Sequence, residues 1–261
     1  LKIISVRLIE TYTLNLRILK TRIVFVIVAS LFLCSSIPIV SQTVLSVDIT
    51  VDTDLGPNGS PADTVYIIDG TLRVYGTDGS DGITTLSIEP GVKLKFNPGS
   101  SSILQIGEGA NPGSIKAEGS EQEPIYFTSV NTSPAEGDWR YINLTATAKN
   151  CLFDYAVIEY GGRSQGYGTD AAILTAADTL IMSNSTIRNS ETTGITVLHN
   201  TALVSLDKVI LENNSYNGLA TAHESGFTIR INDCFIHSNG FYGLDLKHNN
   251  ILQLTNSSFD P

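Results

Sequence analysis

The sequence predicts an all-β solenoid, because one apolar pattern recurs at a nearly fixed period through residues 180–259. The two apolar residues of each pair are separated by one residue, which is the period of a strand and not of a helix. Equivalent residues of successive repeats are 24, 25 and 23 positions apart, in the pairs Leu180/Met182, Val204/Leu206, Ile229/Ile231 and Leu252/Leu254.

Each repeat contains three short segments, such as Ala202–Asp207, Val209–Asn213 and Gly218–His223. They are too short for helices and are bounded by Asn, Ser and Gly, which favour turns. Three strands and three turns in about 24 residues make one coil of a parallel β-helix, with coils stacked ~4.8 Å apart. A single coil cannot bury its apolar row, so the fold depends on stacking.

The same register continues upstream with one interruption. Residues Ile158 to Ile173 span 15 positions where later coils use 8, and the extra seven lie within 161–170. A second loop, 130–138, leaves the preceding coil on the same side. Such insertions either mark a binding face or are neutral loop expansions that a solenoid tolerates. The earlier strands are predicted at Val65–Ile68, Thr71–Tyr75, Thr85–Ile88, Val92–Phe96, Ile103–Ile106, Ser114–Ala117 and Pro124–Thr128.

A family resemblance rests on the Asn-containing turns and on three upstream stretches. These are Arg188-Asn189-Ser190, Glu212-Asn213-Asn214, Ser238-Asn239-Gly240, Leu86–Phe96, Pro124–Ser129 and Gly137–Ile142. The chain resembles the right-handed parallel β-helix repeat proteins of the pectin-lyase-like superfamily, and the non-catalytic cell-surface type more than the lyases. The resemblance covers roughly residues 64–261. It implies a right-handed β-helix but leaves the activity open, because one fold carries many functions.

The chain is predicted to have three parts. Residues 1–42 form a signal peptide or N-terminal anchor with an upstream extension, because Arg17, Lys20 and Arg22 precede the apolar run Ile23–Leu33. Residues 43–63 form an N-terminal cap and loop, and residues 64–261 form a β-helix that is truncated at its C-terminus. We expect a secreted or cell-surface protein, with no stable membrane span if the signal is cleaved.

Charge and cysteine content limit the partners and the crosslinks. The first 42 residues hold five basic side chains and one acidic, so the remainder has 11 basic and 25 acidic side chains and a formal charge of −14. This charge should repel nucleic acid and disfavours polyuronates. Cys151 and Cys234 fall in different columns about three coils apart, or ~14 Å, which is too far for a disulfide. We expect two buried free thiols and a monomer.

Three histidines share one position in successive repeats, since His199, His223 and His248 each end a Gly-apolar-x-x-x-His stretch. Stacked imidazoles ~4.8 Å apart could share one divalent metal ion. The expected arrangement is instead a polar ladder at the strand ends, because a repeating coil stacks like residues in any case. No other cofactor is indicated.

Candidate ligand-binding residues lie in the insertion, beside the preceding loop and on the sheet faces. Exposed aromatic rings with a polar tip suit sugar faces, and an exposed Lys or Arg could serve a lyase as the base. The candidates are Arg163, Gln165, Tyr167 and Asp170 in the insertion, Trp139 after the 130–138 loop, and Arg230, Asp245 and Lys247 on the sheets. Other aromatic residues near turns are Tyr141, Tyr155, Tyr160, Tyr216, Phe241 and Tyr242.

Three functions fit these observations. The favoured one is a non-catalytic scaffold or adhesin that binds polysaccharide or cell-surface glycan through a sheet face and the two loops. The second is a polysaccharide lyase, hydrolase or epimerase that uses the histidine column or coils beyond Pro261. The third is a spacer that projects another domain.

Overall fold

The computed structural model describes residues 42–56, 65–198, 201, 203–222, 228–247 and 251–259, and these residues form strands and turns. Within these ranges there is no helix long and apolar enough to cross a membrane. The predicted signal segment 1–42 lies almost wholly outside the described residues.

The strands follow one another through short turns. In chain order they are β1 (Gln42–Leu45), β2 (Thr53–Leu55), β3 (Val65–Ile68), β4 (Thr71–Val74), β5 (Thr84–Ile88), β6 (Lys93–Phe96), β7 (Gly99–Ile106), β8 (Gly113–Glu118), β9 (Ile125–Ser129), β10 (Trp139–Leu144), β11 (Cys151–Asp154), β12 (Ala156–Glu159), β13 (Ala171–Thr175), β14 (Thr179–Ser183), β15 (Thr186–Arg188), β16 (Thr193–Val197), β17 (Leu203–Asp207), β18 (Ile210–Glu212), β19 (Leu219–Thr221), β20 (Thr228–Asn232), β21 (Phe235–His237), β22 (Leu244–Asp245), β23 (Ile251–Thr255) and β24 (Ser258–Phe259).

From β2 onward every third strand joins the same parallel sheet, so the predicted parallel β-helix with three strands per coil is confirmed. Sheet A has the order β1-β3-β6-β9-β12-β15-β18-β21-β24, sheet B the order β4-β7-β10-β13-β16-β19-β22, and sheet C the order β2-β5-β8-β11-β14-β17-β20-β23. A coil therefore runs through sheets C, A and B in turn. The predicted cap contains β1 and β2, which pair with β3 and β5 and so begin the stack.

The predicted register is confirmed at every repeat that we aligned. Leu180 pairs with Val204, Val204 with Ile229, and Ile229 with Leu252 on sheet C. On sheet A the corresponding column is Ile187, Leu211, Ile236 and Phe259. These side chains point inward, and all but those of the last coil are buried. In a single coil these apolar side chains would be exposed to water. They become buried because each one stacks on its equivalent in the next coil.

The two thiols are free and buried, as predicted. Cys234 lies at the corner between sheets C and A, where Ser185 and Ser257 occupy the same column. Each of these three side chains donates to the carbonyl two residues earlier and accepts an N–H from the coil below. Cys234 therefore makes the same two kinds of hydrogen bond as the serines of this column, with Sγ 3.4 Å from the nitrogen of Val209.

Candidate functional site

The turns from sheet A to sheet B stack on one side of the solenoid, which we call the A–B edge. It comprises residues 130–138, 160–170, 189–192, 213–218 and 238–243, between the strands of the two sheets. Both predicted insertions lie on this edge. The structure therefore brings together the two loops that the sequence placed on one side.

The side chain of Trp139 packs beneath the longer loop, residues 160–170. Its side chain is fully buried, stacks on Phe96 with ring centroids 4.0 Å apart, and donates from Nε1 to the carbonyl of Glu159 at 2.9 Å. A Cβ on Gly161 would lie 2.8 Å from the indole. The expectation of Trp139 as a ligand-binding residue is thus corrected, because its ring offers no exposed face and instead packs under the insertion.

Backbone hydrogen bonds and one arginine join the two loops. Gly137 donates to the carbonyl of Gly161 at 3.2 Å, and the guanidinium of Arg163 donates to the carbonyl of Gly137 at 3.1 Å. Arg163, predicted to bind a ligand, is therefore engaged in holding the loops together. Glu191 in the next turn accepts from the nitrogen of Ser164 at 3.2 Å, so the insertion is held from both sides.

Asp170 closes the insertion into a compact turn. Its Oδ2 accepts the backbone N–H of Gln165 at 2.7 Å and that of Tyr167 at 3.2 Å. The residue is 6% exposed, whereas Gln165 and Tyr167 lie at the surface. Asp170 also affects Tyr141 on sheet B. The pKa of Tyr141 is raised, mainly by burial; the positive charge of Arg140 lowers this pKa, and the negative charge of Asp170 raises it.

A cavity of about 160 Å³ opens between the insertion and the next two turns. This is smaller than the ~300–1,000 Å³ of pockets for drug-sized ligands, so the cavity has room for a small group only. Its lining mixes hydroxyl, carboxylate and aromatic groups, contributed by Ser164, Gly166, Tyr167, Gly168, Asp170, Thr192, Thr193 and Tyr216.

Aromatic side chains continue from the cavity along the edge. Tyr216 and Phe241 lie in successive coils with ring centroids 5.1 Å apart. Tyr167, Tyr216, Phe241 and Tyr242 are 66%, 50%, 65% and 63% exposed. The sequence predicts only that Tyr216 lies near a turn, whereas the stacking of the coils places it against the insertion.

A buried amide ladder supports the same turns. The side chain of Asn214 donates to Oδ1 of Asn239 at 2.9 Å, and Asn214 Oδ1 accepts the N–H of Ser190 at 3.2 Å. The structure therefore has turns at the predicted Asn-containing stretches. Asn189 and Asn213 contribute through their backbone conformation. They adopt positive φ angles of 53° and 51°, a conformation that Asn tolerates better than most residues.

The remaining predicted residues lie elsewhere. Arg230 is on the exposed face of sheet C and donates to Gln253 at 2.8 Å. Asp245 is at the end of sheet B, with Lys247 Nζ 3.6 Å from its carboxylate. Arg230 therefore belongs to sheet C, whereas Asp245 and Lys247 lie at and just after the last strand of sheet B. The histidine column, His199, His223 and His248, lies outside the described residues, and those that are described contain no metal-binding cluster.

A column of charged side chains on the outer face of sheet A was not predicted from the sequence. Arg188 donates twice to Glu159 Oε2, at 2.9 and 2.8 Å, and lies 4.0 Å from Glu212, which in turn lies 3.3 Å from His237. Burial alone would lower the pKa of Arg188, but the hydrogen bond and charge of Glu159, with that of Glu212, raise it. Each member directly follows an aligned apolar residue of sheet A, and that spacing was the available signal.

The fold and the comparisons agree on the class of protein. A family model described as a right-handed β-helix region matches residues 110–259, which is more than half of the 261 residues. The chain therefore belongs to the right-handed β-helix family. Searches of curated proteins and of solved structures returned no match.

Proposed function

We propose that this right-handed β-helix is an exported, non-catalytic scaffold that binds polysaccharide or cell-surface glycan at its A–B edge. The observation that carries the proposal is the row of exposed aromatic side chains, Tyr167, Tyr216, Phe241 and Tyr242, beside the polar cavity. Aromatic rings cover the apolar face of a pyranose while hydroxyl and carboxylate groups bond its rim.

The geometry suits an extended chain better than an isolated sugar. Successive coils offer contacts at ~4.8 Å intervals along the solenoid axis, and the ring pair Tyr216 and Phe241 follows that spacing at 5.1 Å. The turns are held by stacked backbone hydrogen bonds, including Phe241 N to Tyr216 O at 2.9 Å. A surface fixed in this way loses little conformational entropy when it binds a polymer.

The test uses the full chain and insoluble or immobilised polysaccharides, neutral and uronate-containing, with retention and polymer length followed together. We expect retention on a neutral or amino-sugar polymer without shortening. Tyr216→Ala and Phe241→Ala should each weaken binding by about two- to tenfold, the effect of one aromatic contact. Phe235→Ala is the matched control, because Phe235 is an aromatic residue with 41% exposure on sheet A, away from the edge.

Each result has a clear meaning. Shortening of the polymer would contradict the non-catalytic function and favour the lyase or hydrolase alternative. If the protein is retained on none of the polymers, the spacer function would be favoured instead. Equal losses in Tyr216→Ala and Phe235→Ala would show that the A–B edge is not the binding surface.

A further inference from the structure

We infer that the cavity at the A–B edge recognises a positively charged amino group, so that the glycan it prefers is one that carries free amino sugars. The inference rests on the proposed glycan binding and names the substrate class. It depends on Asp170, on the two tyrosines that line the cavity and on the charges around it.

Asp170 has one carboxylate oxygen, Oδ1, that accepts no hydrogen bond from the described residues. The other oxygen, Oδ2, accepts two backbone N–H groups. Oδ1 is not one of the fully buried side-chain atoms that lack a hydrogen-bond partner, although the residue as a whole is only 6% exposed. Because Asp170 lines the cavity, its carboxylate is the one acidic group among the lining residues that a ligand would meet.

The carboxylate of Asp170 has no ion-pair partner in the part of the chain that the structure describes. Arg163 is bonded to the carbonyl of Gly137, and Arg140 lies over the ring of Tyr141 at 4.6 Å. A carboxylate that is largely removed from water and lacks a counter-ion favours a cationic partner.

Tyr167 and Tyr216 line the same cavity as this carboxylate. Aromatic faces attract ammonium groups, and such rings around an acid form the usual recognition site for them. Glu191, bonded to Ser164, and Glu136, bonded to Ser215, add negative charge around the rim. An ammonium group can donate to Oδ1 while it contacts the rings, whereas a uronate would be repelled.

The test compares chitin oligosaccharides of one length, either fully acetylated or with free amines, by calorimetry with the full chain. The two ligands share a backbone, so the difference reports the amine. We expect the free-amine form to bind at least about tenfold more tightly. Asp170→Asn should abolish this preference, because the amide carries no charge that attracts the amine. Its melting temperature should match that of the wild type, because the amide oxygen can still accept both backbone N–H groups.

Non-specific attraction is controlled by Glu121→Gln, which removes one exposed negative charge elsewhere on the surface. An equal loss of preference in Glu121→Gln and Asp170→Asn would overturn the inference, since it would reflect net charge alone. Equal affinity of the wild-type protein for the two ligands would also overturn it, and would leave glycan binding standing. Absence of binding to both, and to every other polysaccharide, would overturn the proposed function itself.

Discussion

The hydroxyl of Ser215 donates a 2.6 Å hydrogen bond to Oε2 of Glu136, a residue 79 positions earlier in the chain. Glu136 belongs to the 130–138 loop, and Ser215 lies beyond the insertion and one further turn. The loop therefore extends across successive coils on the A–B edge, and its Glu136 side chain reaches the residue before Tyr216. It acts as a strap that ties the turns together next to the cavity.

Removal of this strap should loosen the edge without unfolding the solenoid. We expect Glu136→Gln and Ser215→Ala each to cost no more than about 1 kcal/mol of unfolding free energy, because the bond is exposed. Amide hydrogen exchange should accelerate in residues 130–138 and 213–217 and remain unchanged in sheet C. If the double variant loses the sum of both single effects, the two side chains are not coupled.

The charged column of sheet A should contribute more to stability than an ordinary surface ion pair. Glu159 is nearly buried, with 10% side-chain exposure, so Arg188→Ala would leave its carboxylate without a cation. We expect a loss of about 1–3 kcal/mol in urea unfolding, below the value for a fully buried pair because Arg188 is 39% exposed.

The matched control is Arg230→Ala, which removes an exposed arginine that bonds only a neutral glutamine among the described residues. Its expected effect is less than about 0.5 kcal/mol. A similar loss in both variants would show that the column adds nothing beyond surface charge.

The thiol of Cys151 should stay protonated in the folded protein well into the alkaline range. Burial raises its pKa to about 12. Since the unfolded thiol ionises near pH ~8.5, the unfolded state binds fewer protons than the folded one between these values. Folding stability should therefore fall as pH rises above about 8.5.

Two measurements check this expectation. Peptide mass spectrometry after alkylation at pH 9 should find Cys151 unmodified in the native protein and modified after denaturation. Cys151→Val suits a column that continues with Leu180 and Val204, and its unfolding free energy should decline less between pH 8.5 and 10. Rapid native alkylation of Cys151 would contradict the burial.

Cys234 should tolerate serine better than valine. Serine already occupies its column at Ser185 and Ser257 and makes the same two hydrogen bonds. Cys234→Ser should change the unfolding free energy by less than about 1 kcal/mol. Cys234→Val removes the acceptor for the N–H of Val209 and should cost about 1–3 kcal/mol. The opposite order would show that Cys234 acts only as an apolar residue.

Gly161→Ala should disturb the insertion through Trp139. The added methyl group would lie 2.8 and 2.9 Å from ring atoms of a buried indole that is stacked on Phe96, so we expect a loss of about 1–3 kcal/mol in thermal unfolding. Gly168→Ala in the same loop is the control, because no atom lies within 4 Å of its added Cβ. An unperturbed melting temperature in Gly161→Ala would mean that the indole can shift.

Much of the site lay beyond sequence reasoning for a specific reason. Tyr167 and Asp170 were predicted because the insertion interrupts a measurable period. The burial of Trp139 was not, since an aromatic residue after a loop looks the same whether its ring points outward or under the next turn. Glu136 and Ser215 carry no periodic signal, because a loop that leans across coils follows no register.

The coil, its three strands, the inward columns and the free thiols were all predictable from the repeat, because a repeating unit must place each residue on its equivalent in the next coil. The direction in which the insertions lean, and the groups that they enclose, became known from the three-dimensional structure. The contacts of Asp170, Tyr216 and Glu136 join residues of different coils through irregular loops. Such contacts depend on loop packing, which periodicity does not encode.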